Sequence, residues 1–86
     1  MIVAVKHAGA QALAVLGPLL AEFRLLPELT EKKPGVFYRK SRAFLHFHED
    51  PAGLFADVRL AAEFERFEVT TPGQRASFLR HVLEAM

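Results

Sequence analysis

The chain has 86 residues, 51% of them hydrophobic, and a formal net charge of +1. This length allows one domain, residues 1–86, and the apolar content is too high for a disordered chain. The near-zero charge argues against a nucleic-acid partner, and the lack of cysteine excludes disulfides and thiolate metal sites. We expect a cytoplasmic protein without a membrane partner.

The first predicted element is a helix over residues 9–25, because apolar residues recur along it at helical spacing. Pro18 removes a backbone donor, so we expect it to kink this helix or split it in two. Pro27 ends the helix. A solvated connection is then predicted up to Gly35, since this segment is rich in charged residues and ends in a Pro-Gly turn.

Three antiparallel strands are predicted for the middle of the chain, at residues 36–39, 43–48 and 54–60. The turn formers between the second and third strands predict a hairpin in which His46 faces Asp57. A tight connection at residues 40–41 would place Phe37 opposite Phe44.

This register sorts the strands into two faces, because side chains alternate across a strand. The wholly apolar face is expected to meet the core. It comprises Val36, Tyr38, Ala43, Leu45, Phe47, Ala56, Val58 and Leu60. The mixed face is expected to meet water, a ligand or a partner. It comprises Phe37, Phe44, His46, His48, Phe55, Asp57 and Arg59.

The C-terminal part predicts a fourth strand near residues 67–70 and then a helix. Thr71 is the expected N-cap, with Pro72 at the first helical position and Gln74 completing a capping box. The order is helix, three or four antiparallel strands, helix. It predicts a two-layer α+β fold with both helices on the apolar face of the sheet.

Four segments resemble a known family: LPELT at 26–30, FYRKSR at 37–42, FLHFH at 44–48 and ADVRL at 56–60. They are similar to small bacterial proteins of the luciferase-domain family, and less closely to YjbR-type small domains. The resemblance covers residues 20–86 and departs from the family at 39–41, where glycines are usual. It implies a small bacterial α+β domain. It assigns no reaction, because the family name is not an established activity.

The histidines of the mixed face suggest one class of function. His46 and His48 lie on the same face of one strand and can hold a divalent transition metal if a third ligand closes the site. Asp57 is the cross-strand candidate, and Glu49 or Asp50 could reach in from the turn. Alternatively, His46 and Asp57 form an ordinary cross-strand contact, or act as a general base with its orienting carboxylate in a small enzyme.

The aromatic residues of the mixed face suggest a second class. Phe37, Phe44 and Phe55, with nearby arginines such as Arg59, are typical of a surface for self-association or a protein partner. An interaction module of this kind is the leading prediction, and a small metal-dependent or acid–base enzyme is the alternative. A basic cluster fits either a solvated sheet edge or a phosphate site. It comprises Lys32, Lys33, Arg39, Lys40 and Arg42.

Overall fold

The computed structural model describes residues 6–86, in which two helices pack on one face of an antiparallel sheet. The elements are β1 (Lys6–His7), α1 (Ala10–Arg24), β2 (Leu29–Lys33), β3 (Val36–Arg39), β4 (Arg42–Asp50), β5 (Gly53–Val58), β6 (Glu65–Glu68) and α2 (Pro72–Ala85). The spatial order is β2-β3-β4-β5-β6, and β1 pairs with β4. The predicted α+β class and the order of helix, sheet and helix are confirmed.

The sheet has more strands than the sequence predicted. The fourth strand, predicted near residues 67–70, is present two residues earlier as β6, and the segment predicted as a connection after Pro27 contains β2, which pairs with β3. That prediction was wrong because β2 is an edge strand with mostly exposed, charged side chains, so it lacks the apolar alternation of a half-buried strand. Gly35, at φ 77°, makes the turn from β2 to β3.

Helix α1 is continuous through Pro18, so the predicted split does not occur. The proline leaves the carbonyl of Ala14 without its helical donor. Leu16, Leu20 and Phe23 are nevertheless fully buried against the sheet, and this packing holds the helix together across the interruption.

The predicted register of the β4–β5 hairpin is confirmed. His46 pairs with Asp57, and Phe47 pairs with Ala56. The strands run one pair further than expected, because Asp50 pairs with Gly53 and the turn is only two residues long. The Asp50 carboxylate accepts a hydrogen bond from the Ala52 amide at 2.7 Å, which stabilises that turn.

The β3–β4 hairpin contains a β-bulge that the sequence prediction missed. Its two-residue turn is as expected, with positive φ at Lys40 and Ser41 as primed turns require. Tyr38 pairs with Ala43, but Phe37 pairs with Leu45, so Phe44 is an extra residue in β4.

This bulge corrects five face assignments, since a shift of one residue exchanges the faces of a strand. Phe37 and Phe44 were predicted on the mixed face and are instead buried in the core, at 1% and 3% exposure. Val36, Tyr38 and Ala43 were predicted in the core and instead lie beside His46. The open face, meaning the sheet surface opposite the helices, carries Val36, Tyr38, Ala43, His46, His48, Phe55 and Asp57.

The core lies between the sheet and both helices. The ring of Phe23 in α1 is 6.0 Å from that of Phe37 and 6.0 Å from that of Phe78 in α2, measured between centroids. Helix α2 begins as predicted, because the Thr71 side chain accepts a hydrogen bond from the Gln74 amide and the full capping box forms. Neither helix within residues 6–86 is long and apolar enough to cross a membrane.

Candidate metal centre

Three side chains converge at the middle of the open face. His46 and His48 project from β4 two residues apart, and Asp57 projects from β5 opposite His46. One ligand atom from each residue lies within 4.8 Å of the other two. His48 and Asp57 are buried, at 9% and 8% exposure, although both are polar. The hairpin therefore holds two imidazoles and a carboxylate together, with His48 and Asp57 largely shielded from water and His46 partly exposed.

The contacts within this group are short. The Nδ1 atom of His46 lies 2.6 Å from Nε2 of His48. The same Nε2 atom lies 3.0 Å from Oδ2 of Asp57. The sequence placed Asp57 opposite His46, and the pairing agrees, but the closest carboxylate contact is with the diagonal neighbour His48.

One hydrogen atom cannot satisfy both contacts of His48 Nε2 when the two rings are neutral. If Nε2 carries the hydrogen and donates it to Asp57, then His46 Nδ1 can only share that hydrogen weakly. If His46 donates to Nε2 instead, the Nε2 lone pair is occupied and the Asp57 oxygen has no donor from the ring. A cation between the three atoms would use all three lone pairs at once.

His7 brings a third imidazole to the same place. The two-residue strand β1 pairs with β4 so that His7 lies directly opposite His48. The His7 ring centroid is 5.3 Å from that of His48 and 6.0 Å from that of His46. Three of the four histidines in the chain thus lie together. Sequence reasoning missed His7, because its position depends on a long-range pairing that leaves no local pattern.

Arg66 orients the carboxylate of the site. It lies opposite Asp57 in β6, and its Nε and Nη2 atoms donate hydrogen bonds of 2.8 Å and 3.0 Å to the two carboxylate oxygens. This bidentate pair fixes the Asp57 rotamer and leaves lone pairs on Oδ2 for a further partner. The sequence offered no signal for it, because residues 61–66 showed no clear strand pattern and the predicted fourth strand began at Phe67.

The electrostatics keep the imidazoles neutral and the carboxylate charged. Burial lowers the pKa of His46 and of His48 below the usual histidine value, and nearby positive charges lower both further, against the opposing effect of Asp57. The hydrogen bonds from Arg66 lower the pKa of Asp57, although its burial acts in the opposite direction. Neutral imidazole and ionised carboxylate are the forms that bind metal ions.

Two side chains of the predicted mixed face, Arg59 and Phe55, lie around this group. Phe64, in the loop before β6, packs its ring edge against His46 at a centroid distance of 4.9 Å. The guanidinium of Arg59 lies 4.6 Å from the centroid of the Phe64 ring. Phe55 lies opposite His48, on the same face. Arg59 and Phe55 are therefore close to the cluster, whereas the other two phenylalanines of the predicted mixed face are in the core.

The turn residues considered as a third ligand do not provide it. The Asp50 carboxylate is engaged with the Ala52 amide in its own turn. Glu49 is not part of the converging group, which among residues 6–86 comprises His46, His48 and Asp57. The carboxylate at this centre is therefore that of Asp57.

An open cavity of about 600 Å³ adjoins the cluster on the β3 side. Its lining includes His7 and His46, the apolar side chains of Val36 and Ala43, and also Tyr38, Lys32 and Lys33.

Comparisons with models of known protein families, with curated proteins and with solved structures give no significant match. The resemblance to luciferase-domain proteins stays a prediction.

Proposed function

We propose that this protein is a small metal-binding domain that holds one divalent first-row transition metal ion on the open face of its sheet. The observation that carries the proposal is the convergence of His46 Nδ1, His48 Nε2 and an Asp57 oxygen within 4.8 Å. Imidazole and carboxylate ligands together suit zinc, iron, nickel or copper. The lack of thiolates disfavours ions that require soft sulfur ligands.

His7 is proposed as the fourth ligand. With it the set would be three imidazoles and one carboxylate, which matches the coordination number that zinc prefers. Because metal ligands at about 2.0–2.1 Å cannot be as close as 2.6 Å to one another in a tetrahedron, the rings of His46 and His48 would separate slightly on binding. The His46 ring, which would have to move, is only partly buried and packs against Phe64.

Asp57 would bind the ion while Arg66 keeps the carboxylate oriented. Carboxylate ligands in metal sites are commonly held by such an outer hydrogen-bond donor. The same contact lowers the pKa of Asp57, which favours the ionised form that binds a metal ion. Arg66 is thus a positioning residue and not a ligand.

The cavity beside His7 and His46 supports a functional extension of this proposal. If His7 is not a ligand, an ion held by His46, His48 and Asp57 would keep a fourth position for water or a substrate, as catalytic zinc sites do. The predicted enzyme using His46, His48 and Asp57 would take this form, with its substrate in the cavity. Among the described residues, no serine or cysteine lines that cavity as a competing nucleophile.

Self-association, the leading prediction from the sequence, has less support than metal binding. Its aromatic centre was Phe37, Phe44 and Phe55, and the first two of these are buried in the core. Phe64 is 38% exposed, but its ring packs against His46. A dimer, a protein partner and a cytoplasmic location remain predictions.

The test is the metal content and cobalt spectrum of protein made without a histidine tag. We expect about one transition metal ion per chain by elemental analysis, and a saturable d–d absorption when Co²⁺ is added to the metal-free protein. His46→Ala and His48→Ala should abolish both signals.

His81→Ala is the matched control, since His81 is exposed on α2 and packs against Phe67, away from the cluster. It should bind the metal as the wild type does. Binding that survives loss of His46 and His48, or that is lost in the His81 variant, would refute the proposal.

A further inference from the structure

A second cavity, of about 250 Å³, lies at the turn end of the β3–β4 hairpin. Four of the eleven basic residues of the chain line it: Arg39, Lys40, Arg42 and Arg59. Within the described part of the chain, its lining contains no aspartate or glutamate. Among the described residues, no carboxylate lies within salt-bridge distance of these four side chains, in a chain whose basic and acidic residues nearly balance.

The two arginines of the hairpin are placed at an energetic cost. Arg39 and Arg42 are directly opposite each other, and like charges in that position destabilise a strand pair. Protection of a sheet edge does not explain Arg39, because its strand is internal: Arg39 also pairs with Leu29 of β2. A bound anion would remove this repulsion.

Arg39 also has a donor that the fold does not use. Its Nε atom is buried and has no hydrogen-bond partner among residues 6–86. A buried donor left unpaired is rare and costly, and a missing ion or water is one of its few explanations. The Arg39 guanidinium lies 5.6 Å from the centroid of the Phe44 ring, which limits its freedom to turn towards bulk water.

Arg59 is held in place at the same cavity. Its Nε and Nη2 atoms donate hydrogen bonds of 3.2 Å and 2.7 Å to the carbonyl of Ala43. Because a guanidinium has five N–H groups, Arg59 retains donors beyond these two. The bulge at Phe44 and the positive φ values at Lys40 and Ser41 shape the backbone around this group.

We propose that this cavity is an anion site that binds a phosphate group, either as inorganic phosphate or as a small phosphate ester. Guanidinium groups match the oxygens of phosphate through paired N–H donors, and two fixed arginines with a lysine supply the charge that a dianion needs. The small cavity and the near-neutral net charge favour a small molecule over a nucleic acid backbone. None of the four basic residues belongs to the proposed ligand set of the metal centre, so either proposal can fail alone.

The test is a titration of metal-free, chelator-free protein with inorganic phosphate, followed by NMR of the arginine Nε–H groups and backbone amides. Chelators must be removed, because they are polyanions that would compete for the site. We expect saturable shifts at Arg39, Arg42 and Arg59, which sodium chloride at matched ionic strength does not reproduce. A parallel titration with ribose 5-phosphate distinguishes an ester from the free ion by which of the two binds more tightly.

Variants distinguish a specific phosphate site from non-specific attraction by positive charge. Arg39→Lys keeps the positive charge but lacks Nε, and we expect it to weaken binding by about tenfold or more, as loss of a charged hydrogen bond does. Arg42 is exposed, so Arg42→Gln provides a second variant that leaves the core intact. Arg80→Gln, exposed on α2, is the control and should bind normally.

Four outcomes would overturn the proposal. The shifts could remain linear in phosphate concentration, sodium chloride could reproduce them, or Arg39→Lys and Arg42→Gln could both bind like the wild type. Preferential binding of a single-stranded oligonucleotide over both phosphate compounds would also contradict it, since that result would assign the site to a nucleic acid.

Discussion

His46 Nδ1 lies 2.6 Å from His48 Nε2, and both residues project from the same face of one strand. Side chains two apart on a strand are ordinarily about 7 Å apart along it, so these rings lean towards each other. Asp57 and His7 border the same point from the two neighbouring strands. The cluster therefore depends on the pairing of β4 with β1 and of β4 with β5. The contribution of each side chain can be tested by substitution.

Replacing Arg66 should weaken metal binding without removing a ligand. Arg66→Gln loses the bidentate contact that orients the Asp57 carboxylate, and losses of such outer contacts typically cost about 10–100-fold in affinity. Calorimetric titration with Zn²⁺ measures the effect. Arg80→Gln is the control for the lost charge, and equal affinities for the two variants would show that Arg66 does not act on the site.

Replacing His7 should weaken the site less than replacing either histidine of β4. His7 is exposed and comes from a two-residue strand, so ordering it costs entropy that the β4 pair has already lost. We expect His7→Ala to bind Zn²⁺ measurably but more weakly than the wild type, by the same calorimetry. Wild-type affinity in this variant would reduce the ligand set to His46, His48 and Asp57.

The metal-free protein should lose stability as the pH falls below 6.5. The unfolded chain takes up protons on His46 and His48 near pH 6.5, the ordinary histidine pKa, whereas burial lowers both values in the folded state. The unfolded state therefore binds more protons in the window between 6.5 and the lowered pKa values, so the free energy of unfolding decreases as the pH drops through it.

Urea unfolding on both sides of pH 6.5 measures this slope. The double variant His46→Asn, His48→Asn removes both groups and should show a flatter dependence. A wild-type stability that is constant or rises towards acid would contradict the assigned direction of the histidine pKa values.

Phe44→Ala should destabilise the domain about as strongly as Phe47→Ala, by about 3–5 kcal/mol each. Both side chains are buried, because the bulge takes Phe44 out of the alternation that would place it on the open face. Phe55→Ala, on the open face, should cost clearly less. Thermal or urea melts measure these losses of stability. A small loss for Phe44→Ala would support the register predicted from the sequence.

Thr71→Ala should lower the free energy of unfolding by about 1 kcal/mol, because it removes the side-chain acceptor for the Gln74 amide. Thr71→Ser is the matched control, since it keeps the hydroxyl. Thr70 is a poor comparison, because its hydroxyl oxygen accepts a hydrogen bond from the Leu54 amide at 3.0 Å. Equal losses in the Ala and Ser variants would mean that the cap does not stabilise α2.

Local chemistry accounts for what the sequence predicted well. The capping box at Thr71 and the turn formers around Pro51 specify their elements within a few residues, and the register of β4 and β5 follows from the turn. That register alone places His46, His48 and Asp57 on one face of neighbouring strands.

Long-range pairings account for what was missed. At the bulge, Phe44 is one extra residue of β4 between two residue pairs that join β3 and β4. No turn residue in the sequence marks it. His7 and Arg66 reach the site through β1 and β6. β1 is only two residues long, and Arg66 precedes the strand that the sequence predicted near residues 67–70, so no local pattern marks either position.

The most direct test of the metal centre is an NMR titration of the histidine ring nitrogens with Zn²⁺ in untagged protein. The chain has four histidines, which serve as three reporters and one internal control. We predict that the ring signals of His7, His46 and His48 shift and saturate at one equivalent of zinc, while those of His81 do not move. No saturable shift at His46 and His48, or equal shifts at all four rings, would contradict the account.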